Sequence, residues 1–152
     1  MADENNNLRV RLVTPERTLF ESDASAVELP SKTGYMEVLY GHAPLLAELG
    51  AGDVTIHQTA AAAAAGAEAG KLTRYNVSWG FVEVLPNRVT ILASDALKPG
   101  EIDLPRAEQQ LDRGLNLWKQ AGESIEAYEE ALRVISEAEA KIVSAGEADT
   151  SH

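Results

Sequence analysis

The sequence contains no cysteine among its 152 residues. Disulfide bonds, thiolate metal ligands and a cysteine nucleophile are therefore excluded. Aromatic residues make up 5% of the chain, although 45% of it is hydrophobic, so aliphatic packing has to supply most of the core. No apolar run approaches the roughly 20 residues that a membrane-spanning helix needs, and the N-terminal MADENNNLRV lacks the layout of a signal peptide. We expect a soluble protein with one ordinary domain, or a small domain with an appendage.

Basic residues are also scarce, and the acidic excess is uneven. The net charge is −11, which argues against a general nucleic-acid binder, since such a protein needs a basic footprint. Residues 1–100 carry 12 acidic and 8 basic residues (net −4), residues 101–122 carry 4 and 3 (net −1), and residues 123–152 carry 8 and 2 (net −6). The last fifth of the chain is therefore expected to have its own role or its own partner.

The first two thirds of the chain alternate with period two. The segments LRVRLV, AVEL and DVTIH each place aliphatic residues on one face and polar residues on the other. The run GFVEVLPNRVTILA predicts a hairpin with strands at 81–85 and 88–93 and a turn at Pro86-Asn87. Many short strands with frequent turn signals predict an antiparallel β-sandwich or barrel.

In the last third of the chain, apolar residues recur with a period of 3.6, which predicts two helices. Asp103 is a suitable N-cap for the first helix, Pro105 falls in its first turn, and Gly122 is placed to end it. Ser124 is placed to cap a second helix that we expect to end at Gly146. Two helices with a short connection form an antiparallel hairpin. The predicted organisation is a β-sandwich over 1–98, a helical hairpin over 99–146 and a disordered tail over 147–152.

Each predicted helix has a narrow apolar stripe. Because a two-helix hairpin alone buries little, the stripes have to pack on the sandwich, on each other or on another protein, and a helical element with several docking places is a candidate switch. The predicted stripes are Leu104, Ala107, Leu111, Leu115 and Trp118 on the first helix and Ile125, Tyr128, Leu132, Ile135, Ala138 and Ile142 on the second.

Catalytic motifs are missing. The histidines are His42, His57 and His152, and no pair has the spacing of a helical metal site. The run GAEAGK lacks the spacing of a phosphate loop, and the alanine-rich tract over 59–71 that contains it is interpreted as a mobile loop or, alternatively, as a docking segment. We expect the strand carboxylates to face water, which leaves an enzyme with scattered acid/base carboxylates as a weaker hypothesis. These carboxylates are Glu28, Glu37, Glu48 and Glu83.

His42 lies at a predicted turn, between a glycine that permits a tight bend and Pro44, which fixes the chain after it. Three roles remain open for its ring: scaffold, interface contact or catalysis. Leu45 and Leu46 are expected to re-enter the core after the turn.

Three motifs in order carry a resemblance to a known family. GHAPLL (41–46), WGFVEVLPNRVTILA (79–93) and IDLPRA (102–107) together resemble the epsilon subunit of F-type ATP synthases. The resemblance implies an N-terminal sandwich and a C-terminal helical hairpin in a non-catalytic rotor subunit of the central stalk. Such a subunit helps to couple c-ring rotation to ATP synthesis, and its hairpin restrains ATP hydrolysis in many bacterial members. A free-standing adaptor with a helical tail is the alternative.

The resemblance also implies partners and a location. The partners are the gamma subunit, the polar loops of the c-ring and, through the helices, the alpha and beta subunits. The location is peripheral, on the cytoplasmic face of the bacterial plasma membrane. The implied rotor-interface residues are Glu37, Gly41, His42, Ala43 and Pro44.

IDLPRA resembles the motif of family members that bind regulatory ATP in the hairpin; otherwise no cofactor and no metal is implied. Arginine geometry suits phosphate, whereas the alternative makes Asp103 a helix cap and Arg106 a surface residue. Where such relatives have an upstream acid and two basic residues on the second helix, this chain has Leu97, Glu137 and Lys141. The implied nucleotide-binding residues are Ile102, Asp103, Arg106, Ala107 and Arg113.

The second helix departs from strongly inhibiting relatives in its charge. There the helix is basic and meets acidic loops of the beta subunits, whereas residues 123–152 here are acidic. Because like charges oppose docking, we expect a weak brake on hydrolysis or one that uses different contacts.

Overall fold

A computed structural model describes residues 7–59 and 72–150, with side chains described as far as residue 146. The chain divides into two compact units between Ala96 and Leu97, two residues before the boundary expected from the sequence. Most of the alanine-rich tract lies outside the described residues, so the predictions for it stay predictions.

The first unit is a β-sandwich made from a single curled sheet of seven strands, as the period-two pattern predicts. Neighbouring strands pair antiparallel except β1 and β7, the first and last strands of the unit, which pair parallel. The strands are β1 Leu8–Val13, β2 Thr18–Ser31, β3 Gly34–Leu39, β4 Leu45–Leu49, β5 Gly52–Gln58, β6 Leu72–Leu85 and β7 Arg88–Leu97.

Two long strands change partners along their length and so join the two layers. Strand β2 pairs with β1 over Thr18–Ala24 and, after a register shift, with β3 and β5. Strand β6 pairs with β5 over Leu72–Val77 and with β4 over Gly80–Val84. The switch in β6 falls at Trp79 and Gly80, which both have positive φ, at 42° and 146°. A bend of this kind lets one strand serve both layers.

Alternation fills the interior with aliphatic side chains. Leu8, Val10 and Leu12 are fully buried, whereas Arg9 and Arg11 are exposed. The core contains a single aromatic ring pair among the described residues, Phe20 and Tyr75, with ring centroids 6.4 Å apart. The packing is therefore aliphatic, as the composition predicts.

The second unit contains a short 3-10 helix, Pro99–Glu101, followed by helices α1 (Leu104–Gln120) and α2 (Ile125–Thr150). Asp103 caps α1 as predicted, because its Oδ1 accepts a hydrogen bond of 3.2 Å from the backbone N–H of Arg106. Gly122 follows the end of α1 with φ 58°, and the Ser124 hydroxyl accepts from the N–H of Ala127 at 3.2 Å. The predicted helical hairpin is confirmed.

The expected end at Gly146 is wrong, because α2 continues to Thr150. Glycine ends a helix by taking a left-handed conformation, and Gly146 is not among the glycines with positive φ. A single glycine costs a helix about 1 kcal/mol, which the long α2 tolerates. No helix in the described ranges is long and apolar enough to cross a membrane.

The two helices meet through small residues. An ideal Cβ placed on Gly114 would lie only 2.8 Å from Cγ1 of Ile135, so α1 and α2 approach each other closely there. We call these contact positions the small-residue seam. Its members are spaced seven residues apart in each helix. Its members are Ala107, Gly114 and Ala121 on the α1 side and Ala131, Ala138 and Ala145 on α2.

The predicted apolar stripes are therefore only partly buried. Ala107 and Ala138 belong to the seam, but Trp118 and Ile125 are 47% and 73% exposed. The large exposed side chains lie beside the seam, whereas Val134 and Ile135 pack onto Gly114, where the missing side chain leaves room for them. A prediction from hydropathy places the large residues at the contact between the helices, whereas the structure places mainly small residues there.

We expect Gly80→Ala to destabilise the sandwich by about 3 kcal/mol. Gly80 has φ 146°, and a Cβ there would collide with the carbonyl oxygen of Leu92. Gly34→Ala is the matched control, because Gly34 has φ 136° but no atom within 4 Å of its Cβ position. Urea unfolding of both variants measures the difference. Equal losses of unfolding free energy would show that the close approach to Leu92 contributes nothing.

Candidate functional site

The four predicted strand carboxylates are surface groups. Glu28, Glu37, Glu48 and Glu83 all face water, as predicted, and the last two form surface ion pairs, Glu48 with Lys32 at 3.2 Å and Glu83 with Arg88 at 3.9 Å. Glu28 and Glu37 stand directly opposite each other on β2 and β3. Within residues 7–59 and 72–150 no group of three acidic or histidine side chains is arranged to hold a metal ion.

The turn between β3 and β4 is built by backbone hydrogen bonds. Gly41 has φ 89°, and its N–H donates to the carbonyl of Pro86 over 2.7 Å. The N–H of His42 donates to the carbonyl of Leu39 over 3.1 Å. The His42 ring also closes on this turn, with Nδ1 2.7 Å from the carbonyl oxygen of Ala43. Because a carbonyl oxygen only accepts, Nδ1 carries the proton and donates, so the ring braces the turn.

Three segments meet at this end of the sandwich. The β3–β4 turn is bonded to the β6–β7 turn through Gly41 and Pro86, and the N–H of Arg9 at the start of β1 donates to the carbonyl of Asn87 over 2.9 Å. This turn cluster holds four predicted interface residues together: Gly41, His42, Ala43 and Pro44. Glu37 lies on the strand that leads into the turn, opposite Glu28.

Apolar side chains surround the turn and face solvent. Tyr40 is 44% exposed and Leu46 is 70% exposed, with Leu39 and Leu45 also exposed. The expectation that Leu45 and Leu46 re-enter the core is therefore wrong; Leu49 is the first fully buried residue of β4. Two consecutive apolar residues on each side of the turn break the period-two pattern, and this is the sequence signal for the surface patch.

The predicted nucleotide residues have separate positions. Asp103 is engaged as the cap of α1, Ala107 is 2% exposed within the seam, and Ile102 is half-buried. Arg106 and Arg113 are both exposed and lie seven residues apart on α1, so they project from one side of that helix. Two of the five predicted residues are therefore exposed cations on one side of α1, two helical turns apart.

The residues on α2 that replace basic positions of ATP-binding relatives form a contact of their own. The Nζ of Lys141 lies 3.2 Å from Oε1 of Glu137, one helical turn away, and Lys141 is buried. The ammonium group of Lys141 is therefore paired with a carboxylate of the same helix.

Comparison with known proteins assigns the family. Residues 7–99 match the family model of the ATP synthase delta/epsilon chain β-sandwich domain. The chloroplastic ATP synthase epsilon chain of Porphyra purpurea is 32% identical over 145 residues, which are 91% of this chain and 95% of that one. The epsilon chain of Koribacter versatilis is 37% identical over 102 residues, 67% of this chain and 65% of that one.

Solved structures have the same fold at lower identity. A chain of the mitochondrial ATP synthase of Euglena gracilis superimposes with a TM-score of 0.69 at 19% identity and covers 95% of this chain and 82% of its own. A chain from the central stalk and c-ring structure of Tetrahymena thermophila gives 0.64 at 16% identity, over 91% and 96%. With the family model spanning the sandwich and a relative aligned over nearly the whole length, this chain belongs to the epsilon chains of ATP synthase, a family of non-catalytic subunits.

Proposed function

We propose that this chain is a rotor subunit of the F-type ATP synthase central stalk, where it helps to couple c-ring rotation to ATP synthesis and performs no chemistry itself. The observation that carries the proposal is the family match over the sandwich together with the braced turn cluster. A transmitted torque needs a body that does not deform. A sheet whose layers share two long strands, with a close-packed aliphatic core, meets that requirement.

The turn cluster and its apolar neighbours are the surface proposed to meet the gamma subunit and the polar loops of the c-ring. Gly41, Ala43 and Pro44 are exposed there, and Tyr40 and Leu46 add apolar area that is left in solvent. Exposed apolar side chains grouped on a rigid turn are typical of protein interfaces. A subunit bound to the c-ring is peripheral to the membrane; we place it on the cytoplasmic face of the bacterial plasma membrane.

We expect the tagged protein, expressed in its source cell, to co-purify with the gamma subunit identified by mass spectrometry. The double change Tyr40→Ser and Leu46→Ser should lower the recovery of gamma and c subunits about tenfold, because buried aromatic and aliphatic anchors dominate interface energies. Leu72→Ser is the matched control, since Leu72 is 50% exposed on another strand. Absence of gamma would contradict the rotor assignment. Full recovery of gamma and c subunits with the double variant would contradict only the proposed interface at the turn cluster.

We propose that the hairpin restrains ATP hydrolysis weakly. Contacts between its helices and the alpha and beta subunits would bring acidic α2 toward surfaces that are acidic in strongly inhibited relatives. Described exposed acids on α2 are Glu126, Glu129, Glu130 and Glu139, against one exposed base, Arg133. Like charges that face each other across an interface oppose docking.

Deleting residues 123–152 from the assembled enzyme should change its ATP hydrolysis rate by less than about twofold, since a brake that contributes under 0.4 kcal/mol shifts a rate by no more than that. The comparison enzyme is the same assembly with the full-length chain, at matched subunit content. A tenfold rise in hydrolysis on deletion would contradict the weak brake.

We propose that the hairpin folds without a bound nucleotide. The Asp103 carboxylate is used as a cap, Ala107 is covered by the seam, and Lys141 is paired with Glu137. Arg106 and Arg113 remain as the exposed cations that regulatory ATP would have to use.

Titration calorimetry of the purified protein with ATP should therefore give no saturable heat up to millimolar nucleotide. Arg106→Ala and the control Arg133→Ala should behave like the wild type. Saturable heat that Arg106→Ala abolishes and Arg133→Ala retains would establish the nucleotide site instead.

A further inference from the structure

One side of the hairpin carries large apolar side chains that the small-residue seam does not bury. Leu111 and Trp118 each follow a seam residue of α1 by four positions, and Ile135 and Ile142 do the same on α2. Four residues advance a helix by about 40° beyond a full turn. Because the helices are antiparallel, an equal advance on both places these side chains on the same side of the hairpin.

Most exposed side chains on this side lie toward the connection between the helices, although Val143, 59% exposed, continues the α2 stripe eleven residues after Leu132. We call the group near the connection the hairpin face: Leu115 (40% exposed), Trp118 (47%), Ile125 (73%), Tyr128 (44%) and Leu132 (40%). On α2 its members are spaced three and four residues apart, so they form one stripe. Large apolar side chains grouped on one exposed helical stripe are typical of interaction surfaces.

The border of the hairpin face is acidic. On α1, Glu108 lies four residues after Leu104 and Asp112 three before Leu115; on α2, Glu129 lies four after Ile125 and three before Leu132. Glu139 continues the α2 stripe seven residues after Leu132. Each of these carboxylates is exposed and lies beside an apolar side chain. Two exposed basic residues lie at or next to this border, Lys119 on α1 and Arg133, four residues after Glu129, on α2.

The other cations of the hairpin lie elsewhere. Arg106 and Arg113 each precede a seam residue by one position, which rotates them about 100° the opposite way from the seam. Lys141 is buried and paired with Glu137 at 3.2 Å. The arginines of α1 thus lie away from the apolar face, whereas exposed carboxylates border that face and also occupy the other side of α2, at Glu126 and Glu130.

We propose that the hairpin face binds a basic amphipathic helix of a partner protein, whose apolar stripe covers Trp118, Ile125 and Leu132 while its cations meet the acidic border. An apolar stripe with flanking charge of one sign selects a helix with a matching stripe and the opposite charge. The partner helix would complete a three-helix arrangement with α1 and α2.

Charge decides against the other occupants. A second copy of this chain would place one acidic border against another, and an anionic membrane surface would meet the same repulsion. An acidic protein loop is disfavoured for the same reason. The proposed partner chemistry is independent of the rotor role, because it concerns the isolated chain and can be tested without the rest of the enzyme.

The test titrates the full-length protein with a synthetic helix of about 18 residues, five helical turns, made of leucine and lysine in an amphipathic pattern. Two matched peptides replace every lysine by glutamate or every leucine by serine. Calorimetry should show saturable binding of the leucine/lysine peptide, weakened as salt is raised, and at least about tenfold weaker binding of the other two. Equal binding of the leucine/glutamate or the serine/lysine peptide would overturn the proposal.

Variants then locate the binding surface. Ile125→Ser with Leu132→Ser should weaken binding about tenfold or more, whereas Leu72→Ser on the sandwich should leave it unchanged. Glu129→Lys with Glu139→Lys should weaken it more than Glu126→Lys with Glu130→Lys, which changes net charge equally but on the other side of α2. Equal effects within either comparison would overturn the proposal, as would concentration-dependent dimerisation that Ile125→Ser abolishes, since a second copy would then be the occupant.

Discussion

The sandwich depends on the contact between the backbone of Gly80 and the carbonyl of Leu92. Strand β6 can pair with β5 at one end and with β4 at the other only if it bends sharply between Val77 and Gly80. Any side chain at Gly80 would occupy the space of that carbonyl. The bend also delivers the β6–β7 turn to the end of the sandwich, where Pro86 and Asn87 accept hydrogen bonds from Gly41 and Arg9. One glycine therefore positions the turn that carries His42.

The hairpin achieves close packing by a different means. Glycine and alanine at the seam let the two helices approach closely, and Val134 and Ile135 fill the space over Gly114, so dispersion contacts hold the pair together. Trp118 and Ile125 lie outside this contact and remain available for a surface outside the pair. The same arrangement explains why a helical unit can be well packed and still expose a tryptophan and an isoleucine.

Much of this architecture follows from the sequence, and the exceptions have physical causes. Period-two alternation in LRVRLV predicts its three buried aliphatic positions, and Asp103, Gly122 and Ser124 mark the helix ends, because caps and alternation are local properties. The seam is not local: whether Gly114 or Leu115 faces the other helix depends on how closely the backbones approach. The turn cluster lies between these cases. GHAP predicts the bend, but only the bond from Gly41 to Pro86 shows that two distant turns form one surface.

His42 illustrates how a conspicuous residue can belong to a surface without performing chemistry. Its Nδ1 donates to the carbonyl of the next residue, and the turn it braces exposes Ala43 and Pro44. A backbone carbonyl on Nδ1 also orients catalytic histidines in other proteins and leaves Nε2 as the proton acceptor, so the family of non-catalytic subunits, and not this bond, decides against chemistry here. The carboxylates around the hairpin face follow a similar principle, because they disfavour acidic partner surfaces. In a chain that acts through its surfaces, placing acids around an apolar face discriminates between partners that apolar area alone would accept equally.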